Sequence, residues 1–156
     1  MTVKVGISGF GRIGRCTLSS IIESGRTDIQ VVKMNATGPI GDIAHLLKYD
    51  SVHGRFSGDI RIDGDMMDVG QGPMKVFSTY NPEELDWEGC DVVLECSGKF
   101  NSKDKAGVHL RQGAKKVLVS APATGADRTI VHGVNSEMLE AGDLVVSNGS
   151  CTTNCL

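Results

Sequence analysis

Ser150-Cys151-Thr152-Thr153-Asn154-Cys155 sets a thiol directly after a residue type that caps helices. With Ser150 as N-cap, Cys151 falls in the first turn of a helix. There, unpaired backbone N–H groups and the positive end of the dipole favour a thiolate. That is the setting a nucleophilic cysteine requires. Cys155 shares the same helix face, but no histidine lies nearby and no second ligand pair is present, so no metal site is expected. A small apolar role suits Cys155 better. Cys16, Cys90 and Cys96 fall on expected helix or strand faces and read as core.

The second constellation is Gly9-Phe10-Gly11-Arg12-Ile13-Gly14, a G-x-G-x-x-G pattern. Gly9 permits a tight turn, Gly11 lets the backbone approach a pyrophosphate, and Gly14 lets helix and strand pack closely. The helix that follows offers free N–H groups to the phosphates. A glycine turn without a ligand would give the same letters, but a strand before it and a helix after it favour a dinucleotide. An NAD site usually carries an acidic residue about 20 residues on, at the end of the second strand. That place holds Asn35-Ala36-Thr37-Gly38. Without a carboxylate, a 2′-phosphate meets no repulsion, so NADP is admissible beside NAD. No arginine sits next to Ala36 to grip it, and Lys33 is the nearest base.

Short apolar runs alternate with helix-like stretches, the pattern of a parallel α/β sheet. Val3 to Ser8 reads as the first strand and Gly11 to Glu23 as a helix burying Ile13, Leu18, Ile21 and Ile22. Ile29 to Asn35 is the second strand, and Asp42 to Lys48 a short helix with Ile43, Leu46 and Leu47 inward. Ser57 to Phe77 alternates apolar and polar residues around glycine turns, as an antiparallel meander does. Asp91 to Glu95, Lys116 to Ser120, Ile130 to His132 and Leu144 to Val146 read as further strands. Ser102 to Arg111 reads as a helix capped by Ser102 and stopped by Gly113. The fold class expected is α/β: a Rossmann-type, doubly wound, mostly parallel sheet with a small antiparallel insertion. Residues 1–150 form the dinucleotide-binding domain, and 151–156 begin the helix that carries the nucleophile.

Composition bounds what this domain does. The 156 residues carry a net charge of −3, with signs interspersed, which gives no basic face for nucleic acid. No apolar run approaches the ~18 residues of a membrane span, and Met1-Thr2-Val3-Lys4-Val5 is not a signal-peptide start. Five irregularly spaced cysteines without a CxxC pair fit reduced thiols in a cytoplasmic setting. Twenty glycines are well above the usual ~7%.

Four segments together resemble glyceraldehyde-3-phosphate dehydrogenase of bacterial type. They are Gly9 to Arg15, His45-Leu46-Leu47-Lys48-Tyr49-Asp50-Ser51-Val52-His53-Gly54, Gly113-Ala114-Lys115-Lys116-Val117 and Ser150 to Cys155. The resemblance implies a glycolytic oxidoreductase that converts glyceraldehyde 3-phosphate and inorganic phosphate to 1,3-bisphosphoglycerate through a thioester on Cys151. It implies that Ser150 and Thr152 bind phosphate and that the Cys151 N–H holds the developing oxyanion. Gly9, Gly11, Arg12, Ile13 and Gly14 would line the pyrophosphate. Asn35, then Ser97, Gly98 and Phe100 after the fourth parallel strand, and Ser120 and Ala121 after the fifth, would lie along NAD or NADP. Erythrose-4-phosphate dehydrogenase is the related alternative.

The departures from the family are Ala36 for its usual Asp, Tyr80 in about the place of its usual Arg, and Gly149 where Ala is common. His45 and His53 belong to the family motif and read as structural, and His109 and His132 carry no chemical signal. The family's general base is a histidine beyond the cysteine, in a second, catalytic domain that also builds a homotetramer. All four histidines here precede Cys151. The chain therefore reads as the N-terminal part of a larger enzyme, with an isolated NAD(P)-binding module without activity as the alternative.

Overall fold

A computed structural model describes residues 2–155. In chain order the strands are β1 (Val3–Ser8), β2 (Ile29–Asn35), β3 (Tyr49–Asp50), β4 (Gly54–Arg55), β5 (Arg61–Asp63), β6 (Met66–Asp68), β7 (Pro73–Phe77), β8 (Val92–Glu95), β9 (Lys116–Val119), β10 (Arg128–Thr129) and β11 (Val145–Ser147). The helices are α1 (Arg12–Glu23), α2 (Ile40–Lys48), α3 (Lys103–Ala106), α4 (Val108–Arg111) and α5 (Cys151–Cys155).

Nine strands make one sheet in the order β10-β11-β9-β8-β1-β2-β7-β6-β5. From β10 to β7 every pairing is parallel, and β7-β6-β5 is the antiparallel edge. The chain winds outward from β1 in both directions, so the strand order reverses at β1, between β2 and β8. That is where a doubly wound sheet opens a crevice beyond its carboxyl ends. The insertion expected from Ser57 to Phe77 is present, although β7 also joins the parallel sheet beside β2.

β1 runs from exposed at its start to buried over its last four residues. Val5, Ile7, Val31, Met34 and Leu18 form the centre of the core, and Trp87, Cys90 and Val93 form a second cluster near the start of β8. Burying side chains of this size contributes roughly 1.5–3 kcal/mol each.

Several expected elements shift. The helix expected over Ser102 to Arg111 is broken at Gly107, although Ser102 does cap its start by accepting the Lys105 N–H. Gly107 keeps near-helical dihedrals, and bonds from its N–H to the Lys103 carbonyl and from the Arg111 N–H to its own carbonyl bridge the interruption. The strand expected at Ile130 to His132 lies instead at Arg128–Thr129. The Ile130 N–H continues the ladder to Ser147, and the Val131 N–H is diverted to the Asn135 side chain. Ile13 and Leu46, expected inward, are about half exposed at 53% and 48%. Both stand beside the crevice, where the core gives way to open space.

Candidate functional site

The crevice opens beyond the carboxyl ends of β1, β2 and β8. Its lining includes Ser8, Gly9, Phe10, Gly11, Asn35, Ala36, Thr37, Thr79, Tyr80, Ser97, Lys99 and Phe100. Gly9 turns the chain out of β1 at a φ of +91°, a left-handed value that glycine adopts without strain. The Gly9 N–H donates to the Asn35 carbonyl at 3.1 Å, which ties the loop to the end of β2.

Helix α1 then starts at Gly11 with no side-chain cap and no acidic residue in its first turn. The orphan N–H groups of that turn have no internal acceptor, and a Cβ placed on Gly11 would meet nothing within 4 Å. The helix end is open, and its dipole is not offset by protein carboxylates. These features fit an anionic group such as a dinucleotide pyrophosphate.

Arg12 and Ile13 lie beside this opening rather than in its lining. The Arg12 guanidinium donates to Asp50 at 3.3 Å, which anchors it to the β3–β4 hairpin. Asp50 itself accepts the His53 and Val52 N–H groups, and these bonds hold its carboxyl below the usual range, with Arg12 adding a smaller pull. Gly14 has a packing role: a Cβ there would overlap the Gly9 carbonyl oxygen.

At the end of β2 the Asn35 side chain is pinned to Thr79 by two bonds. Its amide N–H₂ donates to the Thr79 carbonyl at 3.1 Å, and its carbonyl accepts the Thr79 N–H at 3.2 Å. Ala36 follows, buried against the crevice floor, with its N–H bound to the Phe77 carbonyl. The Lys33 ammonium, read from sequence as the nearest base, is 2.7 Å from Asp86 and does not line the crevice. The base on the rim is Lys99, 5.3 Å from the centre of the Tyr80 ring. The sequence offered no periodic cue to that pairing.

Ser97 and Phe100 join the lining, whereas Gly98 sits on the exposed turn between them with a φ of +74°. Ser120 and Ala121 are half-buried after β9 and outside the lining. The Ser120 N–H donates to the Glu95 carbonyl, and the Ala121 carbonyl accepts the Ser147 hydroxyl at 3.0 Å. They brace the neighbouring strand ends.

The thiols fall into two groups. Burial pushes the Cys90 and Cys96 thiols up to about 11. Cys16 and Cys96 are only half-buried, and Cys96 lines the crevice rather than the core. Cys151 and Cys155 are exposed on α5, so the buried place expected for Cys155 is not found among the described residues. Five residues of helix are too short to present a wide apolar stripe to the sheet. Ser150 does cap α5: its hydroxyl accepts the Thr153 N–H at 3.1 Å and lies 2.9 Å from the Thr152 hydroxyl. Asn154 folds back to donate to the Asn148 and Ser150 carbonyls. Ser150, Cys151 and Thr152 therefore stand together beyond the end of β11, not in the crevice lining.

Fold and site define an α/β dinucleotide-binding domain with an uncapped helix N-terminus at the sheet's reversal point. The family model for the glyceraldehyde 3-phosphate dehydrogenase NAD binding domain matches residues 3–103. Over its whole length the chain is 60% identical to glyceraldehyde-3-phosphate dehydrogenase of Cereibacter sphaeroides and 61% to that of Xanthobacter flavus. It is 52% identical to the chromosomal glyceraldehyde-3-phosphate dehydrogenase of Cupriavidus necator. It covers 47%, 47% and 48% of these proteins, so it spans about half the length of the curated relatives it matches. The chain belongs to the glyceraldehyde-3-phosphate dehydrogenase family.

Proposed function

We propose that this chain supplies the cofactor seat and the nucleophile of a phosphorylating glyceraldehyde-3-phosphate dehydrogenase. The observation that carries the reading is the uncapped N-terminus of α1 behind Gly9 and Gly11 at the sheet's reversal point. NAD, when bound, supplies the hydride acceptor. Gly9, Gly11, Arg12 and Ile13 hold the pyrophosphate, and Asn35, Ser97, Gly98 and Phe100 orient the remainder. Ser120 and Ala121 support that wall from β9.

In the chemical step the Cys151 sulfur attacks the aldehyde carbon of glyceraldehyde 3-phosphate. The Cys151 N–H donates to the oxygen as it gains charge. Loss of hydride from the carbon leaves a thioester, and inorganic phosphate attacks it to release 1,3-bisphosphoglycerate and the thiolate. Ser150 and Thr152 offer hydroxyls to a phosphate group. The chain spans about half the length of its relatives, and we assign the proton acceptor, like the assembly of a cytoplasmic homotetramer, to the complete enzyme.

Ala36 favours relaxed cofactor choice. No carboxylate ends β2, so NADP is admitted beside NAD. Calorimetric titration of the chain with each dinucleotide tests both points. Saturable NAD binding is expected, with NADP within about tenfold of it. Absence of NAD binding overturns the cofactor seat, and NAD binding far tighter than NADP overturns the relaxed choice.

A further inference from the structure

Glu95 and His109 are fully buried, at 1% and 0% exposure, and neither lines the crevice. They stand in a line that begins in the core and ends at the crevice. The Trp87 indole nitrogen is 3.0 Å from His109 Nδ1, and His109 Nε2 is 2.8 Å from Glu95 Oε2. The other Glu95 oxygen accepts the Ser97 N–H at 2.7 Å and the Ser97 hydroxyl. Ser97 lines the crevice, and its oxygen accepts the Lys99 N–H at 3.2 Å.

The donor inventory gives this line one direction. An indole N–H only donates, so His109 Nδ1 is an acceptor and bears no proton. The ring then carries its proton on Nε2 and donates it to Glu95. Glu95 faces donors alone and accepts at both oxygens. The Ser97 hydroxyl spends its proton on Glu95 and takes one N–H from Lys99, which leaves it a lone pair. The rings of Trp87 and Phe100 flank His109 edge-on, with centroids 5.9 and 5.6 Å away, and they hold its plane.

We infer that Glu95 and His109 are positioning residues for the cofactor seat. They fix the turn that begins at Ser97 and make its hydroxyl a hydrogen-bond acceptor toward the ligand. The ligand group that docks there is consequently a donor, a ribose hydroxyl or an amide N–H rather than a phosphate oxygen. This inference rests on the NAD reading above for its ligand, but not for its internal geometry.

Glu95→Gln is the sharp probe, because it exchanges one oxygen for an N–H₂ group of the same size. Either orientation sets two donors face to face, at His109 Nε2 or at the Ser97 N–H. Calorimetric NAD titrations of wild type, Glu95→Gln, Ser97→Ala and the double variant read the effect. Each single change is expected to weaken NAD about tenfold, and the double variant to be no weaker than the worse single one within about twofold. Unchanged affinity in Glu95→Gln, or losses that multiply, overturns the inference.

Trp87→Phe adds a second reading. Removing the indole N–H frees His109 to move its proton to Nδ1, so that Nε2 can accept from the amide that Glu95→Gln introduces. Trp87→Phe is therefore expected to cost less affinity in the Glu95→Gln background than in wild type, and an equal cost counts against the relay. The nitrogen spectrum of His109 in the wild-type chain needs no variant to fold. It is expected to show a protonated Nε2 and a bare Nδ1, and the opposite tautomer or a doubly protonated ring overturns the relay. Failure of wild type to bind NAD overturns the cofactor reading and the affinity part of this inference, while the His109 spectrum decides the relay separately.

Discussion

The carbonyl oxygen of Gly9 occupies the space where a side chain on Gly14 would begin. Helix α1 leans on the turn that precedes it so closely that backbone meets backbone. Neither side has a flexible group that can swing away. Gly14→Ala must push α1 off β1, and the expected cost is about 1–3 kcal/mol, the usual range for overpacking. Urea denaturation followed by circular dichroism measures it. Stability equal to wild type would show that α1 yields freely.

Gly11 makes the opposite prediction, although it belongs to the same motif. Its φ is −71°, an ordinary value, and a methyl group there would meet no protein atom. Gly11→Ala is expected to keep stability within about 1 kcal/mol, since an alanine N-cap is only moderately worse than glycine. The methyl would stand between the α1 N–H groups and a phosphate. NAD affinity is therefore expected to fall at least tenfold by calorimetry, about 1.4 kcal/mol. A stable variant with wild-type affinity would place the pyrophosphate elsewhere.

This division within one motif shows what is legible without the structure. The letters Gly9, Gly11 and Gly14, with a strand before and a helix after, are enough to place the turn and the open start of α1, because Gly9 answers a positive φ and Gly14 a close backbone approach, while Gly11 leaves the helix end uncovered. β1 and β2 are legible to the residue, since Val3, Val5 and Ile7, and Ile29, Val31, Val32 and Met34, make short runs rich in β-branched and apolar residues. The relay from Trp87 to Ser97 is not. Trp87 and Glu95 lie 22 and 14 residues from His109, so no local spacing signals contacts that form only in the folded chain. His109 gives no signal because a lone histidine at a helical position reads as any satisfied side chain. Lys33 misleads for a related reason: its partner Asp86 is distant in sequence, and an unpaired base and a paired one look alike as letters.

Ala36→Asp tests the missing carboxylate. Ala36 is buried at the crevice floor next to Asn35. A carboxylate there would accept hydrogen bonds from a ribose diol and repel a 2′-phosphate. The expected result is at least tenfold weaker NADP binding with NAD binding kept or improved, since like charges set side by side cost on the order of a few kcal/mol. Equal loss for both dinucleotides would mean that the new side chain merely blocks the site.

Asp127 governs acid stability at the β11 end of the sheet. Its carboxyl bonds the Lys103 ammonium of α3 and accepts the Val145 and Leu144 N–H groups at 2.9 and 3.0 Å. Lys103 is the largest influence, and together these partners hold the group down to about 2, against a partial opposing effect of burial. The pKa is lower folded than unfolded, so the stabilisation is fully present above the unfolded value near 4 and is lost as pH falls toward 2. Asp127→Asn is expected to be less stable than wild type at pH 7, with the difference shrinking between about pH 4 and pH 2. Urea midpoints at pH 7, 4 and 2.5 read this directly, and a constant difference would remove Asp127 as the cause.

The thiols separate by the same physics of burial. Cys90 is fully buried, and both Cys90 and Cys96 are raised to about 11, so at pH 8 only ~0.1% of either is thiolate. Cys151 and Cys155 are exposed on α5, where reagent reaches them without opening the fold. Brief iodoacetamide treatment of the native chain, read by peptide mass spectrometry, is expected to label Cys151 and Cys155 and spare Cys90 and Cys96. Labelling of Cys96 at a comparable rate would show that the crevice wall opens readily. The nucleophile assignment then requires more than access. Cys151→Ser in the complete enzyme is expected to lower phosphate-dependent turnover by ~10³-fold or more while leaving NAD affinity within about twofold. Cys155→Ser is expected to leave turnover within a few-fold, because Cys155, though as exposed as Cys151, ends α5 rather than following its Ser150 cap. If the two serine variants lose activity equally, α5 matters as a folded unit and Cys151 has no separate chemical role.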